Sequence, residues 1–277
     1  MGQVELKRAG DIAYREALPE QPSDADPVLL VHGFPESSYM WRHLMPAIAA
    51  AGRRAVAPDL PGYGDSPPNP PGTWERQVEA VERFRMALGL EPVALIVHDW
   101  GALIGLRWAC DNPGVASALV VASAGFFPDA KWHGMAKVLR TEGEGEELVS
   151  NLDRTGMARM LRAVGRGFGE QAIDEYFKAF TTEAGRRGIL ELYRSGDFER
   201  KLEPYRGRLA DLGVPMLALW GADDVFAPTA GAYRFQKEVP NTDVIVVEDA
   251  GHFVFEDDPE RCAREVVAFL ERVEDGG

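Results

Sequence analysis

Only two cysteines occur among the 277 residues, Cys110 and Cys262. They form no CxxC pair, so a disulfide scaffold is excluded and reduced thiols, as in a cytoplasmic protein, are expected. Basic residues are also scarce: 30 Lys and Arg stand against 44 Asp and Glu, for a net charge of −14. A nucleic-acid partner needs a Lys/Arg face to neutralise phosphates, so none is expected. The acidic excess is read as a soluble surface that resists aggregation. No apolar run approaches the ~18 residues that cross a bilayer, and no apolar signal-peptide core follows Met1. Leu6 stands where N-myristoylation wants Ser or Thr, so no membrane contact is expected. No His/Cys/carboxylate cluster has ligand spacing, so neither a metal nor another cofactor is expected. Of the histidines, His43 and His133 are read as surface or pocket-lining residues.

What is present is an ordinary globular composition, 45% apolar and 27% charged. The length suits one large α/β domain with an insertion, and a chain of this size buries a substantial core. Short apolar runs alternate with helical stretches, the pattern of a mostly parallel sheet flanked by helices. The runs are Val28–Val31, Arg54–Ala57, Val93–Val97, Leu119–Ala122, Met216–Trp220 and Val244–Val247. They lack in/out alternation, as strands covered on both faces do. Gln77–Leu88 and Leu103–Cys110 read as helices, the second stopped by the Asp111-Asn-Pro-Gly114 turn. From about Pro128 to about Arg208 the rhythm breaks into polar, helix-like sequence without a buried strand. Residues 1–127 and 209–277 are therefore expected to form the core, with 128–208 a helical cap over one end of the sheet. The glycines of Gly165-Arg-Gly-Phe-Gly169 follow no strand, so a phosphate loop is not expected there.

The chemistry concentrates at strand ends. In Ile96-Val-His-Asp-Trp-Gly-Ala102 a strand, a sharp turn and a helix meet, the setting of the nucleophile elbow G-x-S-x-G, with Asp99 in place of serine. Ligands of open α/β sheets bind at the carboxyl ends of the strands. A carboxylate there displaces a leaving group from an sp³ carbon and forms an alkyl ester. Water must then attack that ester, which needs a general base. The blander alternative is that Asp99 caps the next helix. His252, in Ala-Gly-His-Phe after the last strand, is the base candidate. Asp224, after the preceding strand, is the acid that orients it; Asp223 and Asp129 are the alternatives. The chain order nucleophile, acid, histidine is that of the hydrolase fold. His32-Gly-Phe-Pro35 follows the Val28–Val31 run. The backbone N–H groups of Phe34 and Trp100 are the candidate oxyanion hole, and His32 is a candidate at the leaving-group side. The Trp100 indole N–H is a further donor beside the nucleophile.

Together these residues resemble the α/β-hydrolase superfamily, in the branch that holds haloalkane dehalogenases and epoxide hydrolases. The resemblance implies an α/β-hydrolase fold with a helical cap inserted after the sixth strand. His98-Asp-Trp-Gly101 is common to both families. His32-Gly-Phe-Pro-Glu36 resembles the epoxide-hydrolase loop. Ser37-Ser-Tyr-Met-Trp-Arg42, Asp59-Leu-Pro-Gly-Tyr-Gly-Asp-Ser66, Val138–Val149 and Ile173–Phe180 are similar to dehalogenases. Leu192-Tyr-Arg194 resembles the epoxide-hydrolase cap site, whose tyrosine protonates the opening ring. For a dehalogenase the resemblance implies two halide donors. Trp100 matches one; Phe34 stands where an asparagine commonly supplies the other, and Trp132 is the candidate substitute. For an epoxide hydrolase it implies two cap tyrosines, matched by Tyr193 and, less closely, Tyr176. The arginines by which fluoroacetate dehalogenases hold a carboxylate are replaced by Trp100 and Leu103.

The leading expectation is a haloalkane dehalogenase. Asp99 displaces halide held by Trp100, and His252 activates the hydrolytic water. The alternative is an epoxide hydrolase with the same machinery and Tyr193 as acid. The third is a cofactor-free oxygenase or ligand receptor on the same scaffold, since fold alone does not dictate function. A pocket lined from the cap by Trp132, Phe168, Phe177, Phe180 and Tyr193 suits a small uncharged apolar substrate. The protein is expected to be a monomer or homodimer.

Overall fold

The structure, a computed structural model, describes residues 3–276. Eight strands form one sheet: β1 Val4–Ala9, β2 Ile12–Ala17, β3 Val28–Val31, β4 Ala55–Pro58, β5 Val93–His98, β6 Ala116–Ala122, β7 Met216–Gly221 and β8 Thr242–Val247. Their spatial order is β1-β2-β4-β3-β5-β6-β7-β8. Only β2 runs against its neighbours; from β4 to β8 every pairing is parallel. All residues of β3, β5 and β7 are buried, because helices cover both faces of a parallel sheet.

The hairpin β1–β2 is absent from the sequence reading. Its first strand, Val-Glu-Leu-Lys-Arg-Ala, is an edge strand whose charges face solvent, so it offers no apolar run. The other expected strands are found, with ends displaced by up to three residues. Helices Trp74–Leu88 and Trp100–Asp111 pack as one pair, and Leu44–Ala50 with Pro259–Glu274 as another. Gly89 closes the first of these in the left-handed conformation, at φ 61°. Both cysteines are free and buried.

Between β6 and β7 the described chain contains helices and connecting loops but no strand. The longer helices are Gly134–Arg140, Glu144–Asn151, Arg154–Val164, Glu170–Phe177 and Glu183–Ser195. A buried carboxylate of the core, Glu256, ties this insertion to it. Arg42 binds Glu256 in a bidentate fork at 2.7 and 2.7 Å, and the Tyr176 hydroxyl donates to the same carboxylate. Tyr176 is thereby a tie between insertion and core. Parallel pairing brings the carboxyl ends of β3, β5, β7 and β8 to one edge, which positions the site.

Candidate active site

Asp99 sits at the hinge between β5 and the helix Trp100–Asp111, at φ 48° and ψ −123°. Such a conformation is strained for a residue with a side chain and is a feature of functional turns. Close backbone approach maintains it. A Cβ on Gly101 would lie 2.2 Å from the Val31 carbonyl oxygen, and one on Gly33 would lie 2.5 Å from Asp99 Cβ. The carboxylate makes no capping hydrogen bond to the helix. Instead its Oδ1 accepts the Phe34 N–H at 2.8 Å, and its Oδ2 lies 3.5 Å from His252 Nε2.

On the far side of the imidazole, Nδ1 lies 3.0 and 3.1 Å from the two Asp224 oxygens. Asp224 is itself held by the N–H groups of Phe226 and Ala227 at 2.9 and 2.8 Å. Burial opposes the charge on His252, but hydrogen bonds to Asp224 and Asp99 outweigh it and push the imidazole up to about 10. Burial likewise opposes ionisation of Asp99, yet His252 and the Phe34 N–H hold it down to about 2. The site is thus an Asp–His⁺–Asp arrangement. The competing acids lie elsewhere: Asp223 is exposed, and Asp129 pairs with Arg234 at 2.7 Å on the surface.

Two buried groups support His252 from beneath. His98 Nδ1 lies 2.7 Å from Glu36 Oε2, and its Nε2 donates to the His252 carbonyl at 2.8 Å. Burial raises Glu36, and the Glu36 charge raises His98 against its own burial, so the pair stays net neutral. His32 is a correction to the sequence reading. Its Nδ1 donates to the Gly33 carbonyl at 2.8 Å and its Nε2 accepts the Leu60 N–H at 3.0 Å. Burial pushes it down to about 4. It pins the Phe34 loop as a neutral ring and lines neither cavity beside Asp99.

Those cavities measure about 330 and 20 Å³. The larger lies between Trp100, Trp132, Phe198, Phe127 and Trp220. Trp132 stacks on Phe198 at 3.9 Å and faces Trp100 at 5.7 Å. Asp99, His133, Tyr193, Phe226 and His252 border both cavities. Tyr193 is 2% exposed, its ring edge-on to Phe34 at 5.2 Å and to Trp100 at 5.3 Å. Burial, then the Asp99 charge, hold its phenol well above its usual range, so it stays protonated; the Trp100 indole acts on its hydroxyl as a donor. Arg140 donates to the carbonyls of Tyr193 and Gly196 and so fixes this turn.

His133, read from the sequence only as a surface or pocket-lining residue, borders both cavities, and nothing in its sequence context pointed to a place beside Asp99. Its Nδ1 accepts the Ala136 N–H at 3.4 Å, which leaves the proton on Nε2. Burial lowers its pKa, and the charges of Asp99 and His252 both reach it. Phe168, Phe177 and Phe180 are corrections in the other direction. Phe168 packs on Phe253, Phe177 stacks on Phe180, and Phe180 meets Phe34, so all three support the walls without lining either cavity. Among the described residues no group of three or more His, Cys, Asp or Glu is placed to hold a metal ion, and no helix is long and apolar enough to cross a membrane.

The α/β hydrolase fold profile matches residues 26–259, and the chain belongs to that family. Within it the chain is a hydrolase of the haloalkane dehalogenase and epoxide hydrolase branch. It is 31% identical to a haloalkane dehalogenase of Psychrobacter cryohalolentis over 266 residues, 91% of this chain and 86% of that one. It is also 31% identical to epoxide hydrolase 3 of Siraitia grosvenorii over 291 residues, 88% of this chain and 92% of that one. Haloalkane dehalogenase DbeA from Bradyrhizobium elkani superposes with a TM-score of 0.83 at 25% identity over 99% of both chains.

Proposed function

We propose that this hydrolase opens epoxides through an ester on Asp99. The observation that carries the reading is the placement of Tyr193, a protonated phenol from the insertion that borders both cavities together with Asp99. Oδ2 of Asp99 attacks a ring carbon and the C–O bond breaks. The electron pair goes to oxygen, which takes the Tyr193 proton; an alkoxide is far more basic than phenolate. The Nε2–H of His133 is a second donor toward the same oxygen. Two donors suit this leaving group because it stays attached to the product and must be protonated.

The second half follows from the charges. Esterification removes the Asp99 negative charge, one of the two that raise His252. The imidazole pKa falls, His252 passes its proton through solvent to the tyrosinate, and it becomes a base for water. Water attacks the ester carbonyl carbon while His252 takes one proton. Oδ1 becomes the oxyanion, already held by the Phe34 N–H, with the Trp100 N–H as its partner. Collapse breaks the ester C–O bond, the departing alkoxide takes the proton left on the attacking water oxygen, and the diol leaves with the Asp99 carboxylate and the His252 imidazolium restored. Asp224 keeps the imidazole oriented throughout.

A specific observation also favours dehalogenation as the second reading: Trp100 and Trp132 line the same cavity as Asp99. Their indoles are candidate halide donors, while Phe34 offers no side-chain donor. The deciding experiment measures diol from 1,2-epoxyhexane and styrene oxide, and bromide from bromoalkanes, in wild type and Tyr193→Phe. Ring opening predicts diol formation that drops roughly 10²–10⁴-fold in the variant. Bromide release without any diol would remove ring opening and leave the halide reading in its place.

A further inference from the structure

The two cavities meeting at Asp99 differ more than tenfold in volume, about 330 against 20 Å³. The larger falls at the lower end of the range of roughly 300–1,000 Å³ typical of ligand pockets. It has room for a phenyl ring or a medium alkyl chain. The smaller has space for about one water-sized sphere, close to a methyl group. Its far wall is Met135, Met160, Leu161 and Val164 from the insertion, closed on the core side by Phe34 and Phe253. Leu161 and Phe253 are fully packed, whereas Met135, Met160 and Val164 are only half-buried. The nucleophile stands where the two spaces join, because Asp99 borders both. A carbon under attack there must direct one substituent into each space or leave one space empty.

We propose that the enzyme selects asymmetric substrates, with the larger substituent in the Trp132 chamber and only hydrogen or methyl on the Met160 side. Resting on the ring-opening reading, this names terminal and 2-methyl epoxides as the substrate class. Met135 and Met160 are then specificity residues, acting through bulk and touching no reacting atom.

Three isomers of equal composition test this: 1,2-epoxyhexane, trans-2,3-epoxyhexane and trans-3,4-epoxyhexane. They place hydrogen, methyl and ethyl on the short side. The kcat/KM for the 3,4-isomer should fall at least about tenfold below the 2,3-isomer, the effect of one methylene a pocket refuses. Met160→Ala, with Met135→Ala as a second variant, should raise the ratio of 3,4- to 1,2-isomer turnover by about the same factor. Equal turnover of the three isomers, or a ratio unmoved in both variants, would overturn the proposal. The 1-, 2- and 3-bromohexanes are run in parallel. Bromide release with the same rank order and the same response to Met160→Ala, without diol, would overturn ring opening while supporting the two-chamber selection. Inertness toward both series would overturn both.

Discussion

Asp99, Asp224 and His252 leave the ends of β5, β7 and β8, strands locked to one another by parallel hydrogen bonding. Trp132, His133 and Tyr193 come from the insertion, where aromatic stacking and the Arg140 clamp hold them. The first set is placed by backbone: a shift of one strand would break the register of its neighbours. The second is placed by side-chain packing, which tolerates substitution far better. The two regions accordingly divide the work. In the proposed cycle the sheet end supplies nucleophile, base and oxyanion donors, the parts that alkyl-ester chemistry needs whatever the substrate. In the same proposal the insertion supplies the proton donors and the walls, the parts that would decide which substrate is taken.

Substitutions that strike one region alone test this division. Asp99→Asn removes the nucleophile and should reduce turnover of every substrate by about 10⁴-fold or more, leaving the fold intact by circular dichroism. Retained turnover would place the chemistry on another group. His252→Gln should spare the first half-reaction and block the second. One equivalent of alkyl-enzyme should accumulate, visible as a mass increase on Asp99 by intact-protein and peptide mass spectrometry. No adduct with a competent substrate would remove the ester from the scheme.

Tyr193→Phe should act selectively, slowing ring opening by roughly 10²–10⁴-fold and sparing bromide release if any exists. Equal slowing of both would make Tyr193 a packing residue. Arg42→Leu strikes the core side of the seam, where Arg42 holds the Glu256 carboxylate that Tyr176 reaches from the insertion. It leaves the Glu256 carboxylate, 0% exposed, without its cation. Urea denaturation should show a loss of about 3–5 kcal/mol. A loss under 1 kcal/mol would show that Glu256 is not held in place by this pair.

The mildest test is a titration. The His252 pKa is raised from 6.5 to about 10, so its contribution to stability is full below 6.5 and lost as pH rises through about 10. Asp99 is lowered from 3.8 to about 2, so its contribution is present above 3.8 and lost as pH falls through about 2. Removing the Asp99 charge should therefore lower the His252 pKa, as esterification does in the proposed cycle. Imidazole NMR of the Asp99→Asn variant reads this directly. An unchanged His252 pKa would contradict the proposed release of the base.

The meeting of Asp99, Asp224 and His252 was legible because each follows a buried apolar run, and strand ends of a parallel sheet share one edge. The sharp turn at Asp99 was legible from the Trp100-Gly101 step that follows it. The choice of Asp224 over Asp223 was not, since adjacent carboxylates differ only in which way the loop turns. His32 was misjudged for a similar reason: its neighbour Gly33 lies against Asp99, while the ring turns inward to Leu60. Phe168, Phe177 and Phe180 carry the apolar signal of pocket walls, but that signal is shared with residues that pack behind such walls.

By itself the amino-acid sequence determined the parallel sheet, the helical interruption between Ala122 and Met216, and the acidic residue at the elbow. Each is written in local pattern: a run of buried β-formers, its absence, or one residue at a turn. Only the tertiary structure decided that His133 and Tyr193 both border the nucleophile, that Glu36 and His98 brace His252, and that the space around Asp99 is split unequally. These depend on how helices distant in sequence settle against the strand ends. That packing is a sum of many weak contacts, and no single stretch of the chain records it.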